Sequence, residues 1–321
     1  DWGAFDFAAK LDALLQLLCG RAELQVFDDA TMSTAAWIRR ATNRRRGGEP
    51  AWLFRQCAAA GLDDALVEVL YNDAEVPLRW QLSFAAARTG NLHDQTRVTF
   101  RTHMRKAPEN ARNWIKAWFG PVRHCPEAEV RRIIEVVQAA LLVRCREVYS
   151  HQYANPADVY RVSLGAGAEV VFLGVLPGRR LSLEASYGYM LFANGVPLGY
   201  GGVTSLLGQG NIGINVFDEF RRGESAFLFA GVLGAARRVF GCERFVVNPY
   251  QFGADNAEAI KSGAFWFYYR LGFRPVDDRI RRRAAVPAPR RKIARPGRAQ
   301  REVMVEHVEA LGAVLGDNPR A

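Results

Sequence analysis

Long apolar runs are missing from this chain. The longest, Ala226 to Ala236 (AFLFAGVLGAA), is about half of the ~20 residues that a helix needs to cross a bilayer, so no membrane span is expected. Cysteine is scarce: Cys19, Cys57, Cys125, Cys145 and Cys242 are five in number, widely scattered and without a C-x-x-C pair. That distribution argues against a disulfide framework or a zinc module and for reduced thiols in cytoplasm. His124 and Cys125 are the one adjacent His/Cys pair, and no second pair at ligand spacing follows, so no metal is expected. The first residues, DWGAFDFAAK, lack the basic start, apolar segment and small-residue cleavage site of a secretory signal. The chain starts at Asp rather than Met, which leaves a trimmed leader open.

Acidic residues are missing from one segment. Between Arg279 and Arg301 there are ten Arg and Lys and no Asp or Glu, and the rest of the chain is balanced at 33 basic to 33 acidic residues. The net charge of +10 therefore sits in one segment, which Pro287, Pro289, Pro296 and Gly297 keep from forming a packed element. Its natural chemistry is attraction to a polyanion: RNA or another nucleic acid, an acidic carrier protein or a membrane surface. A solvated arm without a dedicated partner is the plainer reading. A short amphipathic helix is expected after it, over Arg301 to Leu315.

What is present is ordinary globular material, 49% hydrophobic and 24% charged over 321 residues, enough for two structured units and a tail. Residues 1–150 read as a helical domain, a bundle or an array of helical repeats. Phe5, Phe7, Leu11, Leu14, Leu15 and Leu18 recur at helical spacing, further stripes follow around Trp52 and Trp80, and an amphipathic stretch from Pro126 to Tyr149 closes the region. After Tyr153 the pattern turns to strands. Ala168–Val175, Leu181–Ala185, Tyr187–Ala193 and Leu198–Leu206 are short apolar or alternating runs, and Asn194-Gly195 between two of them is a strong hairpin signal. A strand at Asn211–Phe217, a helix at Ser225–Phe240, a strand at Arg244–Asn248 and an aromatic helix ending near Arg270 complete a domain over residues 151–278. The order predicts an α/β fold of the α+β type, with a mixed, mostly antiparallel sheet flanked by helices.

The turn DEFRRGESAF between strand and helix brings a Gly to a helix start. There the unpaired first-turn amides and the positive end of the dipole favour an anion, and Arg221 and Arg222 add charge on the same turn. An ordinary turn with Ser225 as N-cap is the structural alternative. In context, the loop Phe220-Arg221-Arg222-Gly223-Glu224-Ser225-Ala226 and the later helix end Tyr268-Tyr269-Arg270-Leu271-Gly272-Phe273 resemble the GNAT superfamily of N-acetyltransferases. There a strand meander leads to a strand, then to a loop of the type Arg/Gln-x-x-Gly-x-Gly/Ala opening a helix, then to a strand and a helix ending in Tyr-x-x-x-Gly-Phe. The resemblance spans about Tyr160 to Val276. It departs at Phe220, which stands where Arg or Gln is usual, at Ser225 in place of the second Gly, at the acidic Glu224, and at Tyr250–Ser262, which looks like an insertion.

The resemblance implies that acetyl-CoA or another acyl-CoA is the donor, held by Val216, Phe217, Arg221, Arg222, Gly223, Glu224, Ser225 and Ala226. It also implies that an amine attacks the thioester directly while Tyr268 protonates the leaving thiolate. Glu184 and Glu219, with Asp218, are the candidates for taking the amine proton; each is also readable as an exposed carboxylate. Phe265, Trp266, Phe267 and Tyr269 are expected to be core and pocket wall. Between Arg97 and Trp118 cations and aromatics interleave in a way that suits nucleic acid, although Trp114 and Trp118 at i, i+4 also make one buried helix face. Two rival functions stand beside the acyltransferase: a non-catalytic binding module of the same fold, and a transferase whose donor rides on a carrier protein or tRNA.

Overall fold

The structure is a computed structural model that describes residues 15–29, 33–43, 48–74, 98–106, 108–118, 120–146, 149–180, 183, 185–221, 223–284 and 313–315. The chain divides into two compact units, Asp1–Gln81 and Leu82–Ala321.

In the first unit the described residues form helices α1 (Arg21–Asp29), α2 (Thr34–Ala41), α3 (Gly48–Ala59) and α4 (Asp64–Ala74). Ser33 caps α2, its hydroxyl accepting from the Ala36 amide, which satisfies one of the unpaired first-turn donors. Leu15, Leu18, Ile38, Trp52, Leu53 and Cys57 are buried together, and the Trp37 and Trp52 rings meet edge to face.

The second unit is built on one sheet. Its strands are β1 (Val122–His124), β2 (Ala154–Gly165), β3 (Ala168–Val175), β4 (Ala185–Ala193), β5 (Val196–Leu206), β6 (Gln209–Ile212), β7 (Asn215–Val216), β8 (Arg244–Val247), β9 (Arg274–Pro275) and β10 (Ala313–Leu315). The order is β1-β2-β3-β4-β5-β6-β8-β10-β9, with β7 beside β5. Among the described residues every pairing is antiparallel except β6 with β8, joined through the crossover helix α8 (Ser225–Phe240) as parallel neighbours require. The expected α+β character with a mostly antiparallel sheet is thus observed.

Side-chain alternation along the central strands sorts two cores. Val170 and Phe172 face one way, with Tyr189 and Leu191, against α5 (Ala111–Ala117), α8 and α10 (Ala264–Arg270). Val171 and Leu173 face the other way, with Met190 and Phe192, against α6 (Glu127–Leu142), which is followed by the one-turn helix α7 (Tyr149–Gln152). Helix α8 is buried along most of its length, and Gly234 makes room for Trp118, whose Cβ would lie 2.9 Å from a Cβ placed on that glycine.

Several boundaries differ from the sequence reading. The stretch expected to be all-helical to residue 150 contains β1, and α5 and α6 belong to the sheet unit because each buries its apolar face on the sheet or on α8. Trp114 packs edge to face on Phe227 and Trp118 on Gly234, so both tryptophans serve the core. The expected strand over 211–217 is interrupted at Gly213-Ile214, and the aromatic helix is broken by Gly263 (φ 75°) into α9 (Ala257–Ser262) and α10. At the far end α11 (Asp278–Ala284) occupies the start of the expected arm, and Ala313–Leu315 is a strand between β8 and β9 where a helix was expected. Residues 285–312, with most of the basic segment, lie outside the described residues, as does the expected strand start at 181–182.

Candidate functional site

The parallel pair β6/β8 holds register over three residues, Gln209↔Arg244, Gly210↔Phe245 and Asn211↔Val246. Beyond that point β6 turns away from β8. Gly213 and Ile214 step out of the ladder, and the chain rejoins β5 through Gly199↔Val216 and Tyr200↔Asn215. The step is fixed by Tyr189 on β4, whose hydroxyl donates to the Gly213 carbonyl at 2.6 Å. Gly201, opposite Tyr189, leaves space for this: a Cβ there would lie 2.2 Å from the Gly213 oxygen and 2.5 Å from the Tyr189 hydroxyl.

The next residue, Ile214, presents its amide to Tyr268, whose phenolic oxygen accepts it. Tyr268 is carried there by α10, and its ring lies edge-on to Phe229, Phe267 and Phe273. It is 3% exposed, and burial raises its pKa well above the ordinary tyrosine value against the opposing effect of the Ile214 bond, so it stays a neutral O–H donor at physiological pH. Tyr189, wholly buried, is likewise raised well above the ordinary value by burial and, second, by the neighbouring Tyr268. Two protonated phenols therefore stand where the strands part.

The loop expected to bind the donor runs from Val216 to Ala226. Val216 is half-buried in β7; Phe217 is buried on the α6 side, its ring under the Arg144 guanidinium at 4.1 Å. Arg221 is tied down, donating to the Val216 carbonyl at 3.2 Å and pairing with Asp218 and Glu258 at 2.9 Å each. Gly223 has φ +117°, a conformation that L side chains rarely adopt. Ser225 is the first residue of α8 and Ala226 the second; the N-cap is Glu224, whose side chain makes no capping bond. Ser225 as N-cap is thus corrected, because the Glu224 carboxylate reaches outward to cations instead of back to the helix.

Those cations are Arg101 and Arg105. Arg101 pairs with Glu224 directly, the Arg105 amide donates to its Oε1 at 2.7 Å, and the Arg105 Nε lies 3.6 Å from the same oxygen. Together with its own desolvation, which acts first and in the other direction, this leaves the Glu224 carboxyl below its usual range. Arg105 also stacks over Phe227 at 4.0 Å. No spacing in the sequence reveals this partnership, since the partners stand more than a hundred positions apart.

The remaining candidates scatter. Glu219 lies 3.8 Å from Arg144 and Asp218 pairs with Arg221 and Arg146, so these carboxylates meet cations at the end of α6, on the opposite face of the sheet from the core that holds Tyr268. Glu184 and Arg222 lie outside the described residues. Phe265 is buried in the α8-side core, and Trp266, Phe267 and Tyr269 pack against it. His124 bonds the Ala157 carbonyl at the surface while Cys125 is buried beneath α6. A cleft of about 410 Å³ opens at the other end of β6 and β8, lined by Leu206, Leu207, Gln209, Glu243 and Arg244 among others, and contains none of the expected site residues.

Among the described residues no helix is long and apolar enough to cross a membrane. No family model matches the chain, and no curated protein matches it.

Proposed function

We propose that residues 151–278 form an acyl-CoA-dependent N-acyltransferase of the GNAT type, acting on a primary amine. The observation that carries this reading is the parting of β6 and β8 at Gly213-Ile214, with the buried Tyr268 phenol hydrogen-bonded at the opening. A thioester seated there would have its sulfur facing a neutral proton donor, and its phosphates would run toward Gly223 and the first amides of α8. The amine attacks the thioester carbonyl carbon, the C–S bond breaks, and the Tyr268 proton goes to the departing thiolate. Tyr268 then recovers a proton from solvent or from the amine. Positioning of the two reactants supplies most of the rate.

A second reading has a specific observation in its favour. Gly223 is covered by the Met104 side chain and Glu224 is neutralised by Arg101 and Arg105, which suits a binding module of the same fold, or a transferase whose donor is attached to a carrier protein or tRNA. Calorimetric titration of acetyl-CoA and free CoA decides between them. Micromolar binding that is lost in Gly223→Glu is expected. No binding to the wild-type chain or to Glu224→Gln would sink the CoA reading.

A further inference from the structure

Residues 98–106 run without helix or strand across the start of α8. Their apolar side chains are not what holds them there: Phe100 is 90% and Met104 67% exposed, so the segment gains little from hydrophobic burial. Two polar anchors hold it. At one end Thr99 and Asn194 exchange hydrogen bonds, the Thr99 amide donating to Asn194 Oδ1 at 2.9 Å and Asn194 Nδ2 donating to the Thr99 carbonyl at 3.2 Å. At the other end Arg101 and Arg105 grip Glu224, and Arg105 also donates to the Leu164 and Gly165 carbonyls at 3.3 and 3.0 Å. Between the anchors Met104 lies on Gly223, its sulfur 2.2 Å from where a Cβ would stand.

From this arrangement we infer that residues 98–106 are an autoinhibitory strap: they close the Gly223 loop, and the phosphates of an acyl-CoA open it by replacing the Glu224 carboxylate at Arg101 and Arg105. The inference rests on the donor reading above. The exchange is chemically even. Two guanidiniums already paired with one carboxylate, one exposed and one partly buried, are handed to a group with more charge and more acceptor oxygens, which arginine also binds through charge-assisted, bidentate hydrogen bonds. The strap then keeps its cations as part of the donor site while Met104 leaves Gly223. Before exchange, the donor binds only the fraction of molecules in which the strap is open, and its apparent affinity is reduced by that fraction.

The test is amide hydrogen exchange over residues 98–106 of the full chain, run beside calorimetry with acetyl-CoA. Three proteins are compared: wild type, Glu224→Gln, and Asn194→Gly. The last changes no charge near the phosphates, and glycine accepts the φ of +48° at that turn position. Asn194→Gly should speed exchange of the Thr99 and Arg105 amides and tighten acetyl-CoA binding about tenfold. In the wild-type chain, saturating acetyl-CoA should speed exchange of the Arg105 amide. If acetyl-CoA binds while exchange over 98–106 is unchanged, the strap is overturned and the donor reading survives. If the variants release the strap and none of the three proteins binds acetyl-CoA, both fall together, and the segment is a structural tie.

Discussion

Tyr268 is the residue on which the proposed chemistry turns, and its surroundings make its two roles separable. As a buried acceptor it satisfies the Ile214 amide; as a neutral phenol it is a proton donor held in an apolar ring of Phe229, Phe267 and Phe273. Tyr268→Phe keeps the ring and removes both functions. Leaving the Ile214 amide unpaired should cost about 1–3 kcal/mol of stability, and loss of a general acid should lower kcat by about a hundredfold. Acetyl-CoA affinity should be unchanged by calorimetry. Thiol release from acetyl-CoA with an amine acceptor, measured against pH, checks the second part: a purely structural Tyr268 predicts lower stability with kcat and its pH profile intact.

At the scale of elements, the decisive feature is the two-residue step between β6 and β7, which depends on the Tyr189 hydroxyl reaching Gly213 across the space left by Gly201. Gly201→Ala should destabilise the sheet unit by about 1–3 kcal/mol through overpacking, read by urea denaturation. Tyr189→Phe, which removes the hydroxyl and leaves the Gly213 oxygen and the ring carbon Cζ of the three atoms in the way, should recover part of that loss in a double-mutant cycle. Additive effects would show that the two positions are uncoupled.

The same step marks the limit of what local pattern reveals. The Asn194-Gly195 turn was legible because both residues need positive φ, and they have it at 48° and 78°. Helix α8 was legible from Ser225 to Phe240 because an apolar run, Ala226 to Ala236, is followed within a turn and a half by Gly241, which takes the left-handed cap. Gly213 and Ile214 instead read as two more strand residues. What takes them out of the ladder is a tyrosine 24 positions away. Gly263 looked like one glycine inside an aromatic helix and proved to be its break. The Arg101, Arg105 and Glu224 cluster, and the strand at Ala313–Leu315, come from contacts far apart in sequence that no periodicity encodes.

Across the molecule, charge and burial set a response to acid in which His151 and Glu129 act over different pH windows. His151 is 3% exposed, lies over Gly188, and has its Nε2 3.3 Å from the Tyr189 carbonyl. Burial, only partly opposed by that bond, lowers its pKa from an ordinary 6.5 to about 4. Folded chains therefore decline a proton that unfolded chains accept. The stability at stake is fully present above pH 6.5 and is lost as pH falls toward 4, amounting to about 3 kcal/mol over that window. Glu129 acts lower down. The hydrogen bond from Arg123, opposed by desolvation and assisted by Arg161, lowers its carboxyl from 4.5 to about 2, so its contribution is lost between those values. Its side chain is 39% exposed, so solvent screens that contribution. The slowest-exchanging amides of β3 and β4 report the sheet unit without interference from the helical one. Their free energy of opening should fall between pH 6.5 and 4 in the wild-type chain and stay level in His151→Gln, which still offers a donor toward Tyr189. A drop of equal size in the variant would place the acid response elsewhere, and a loss confined to pH below 4.5 would assign it to Glu129 and the arginines around it.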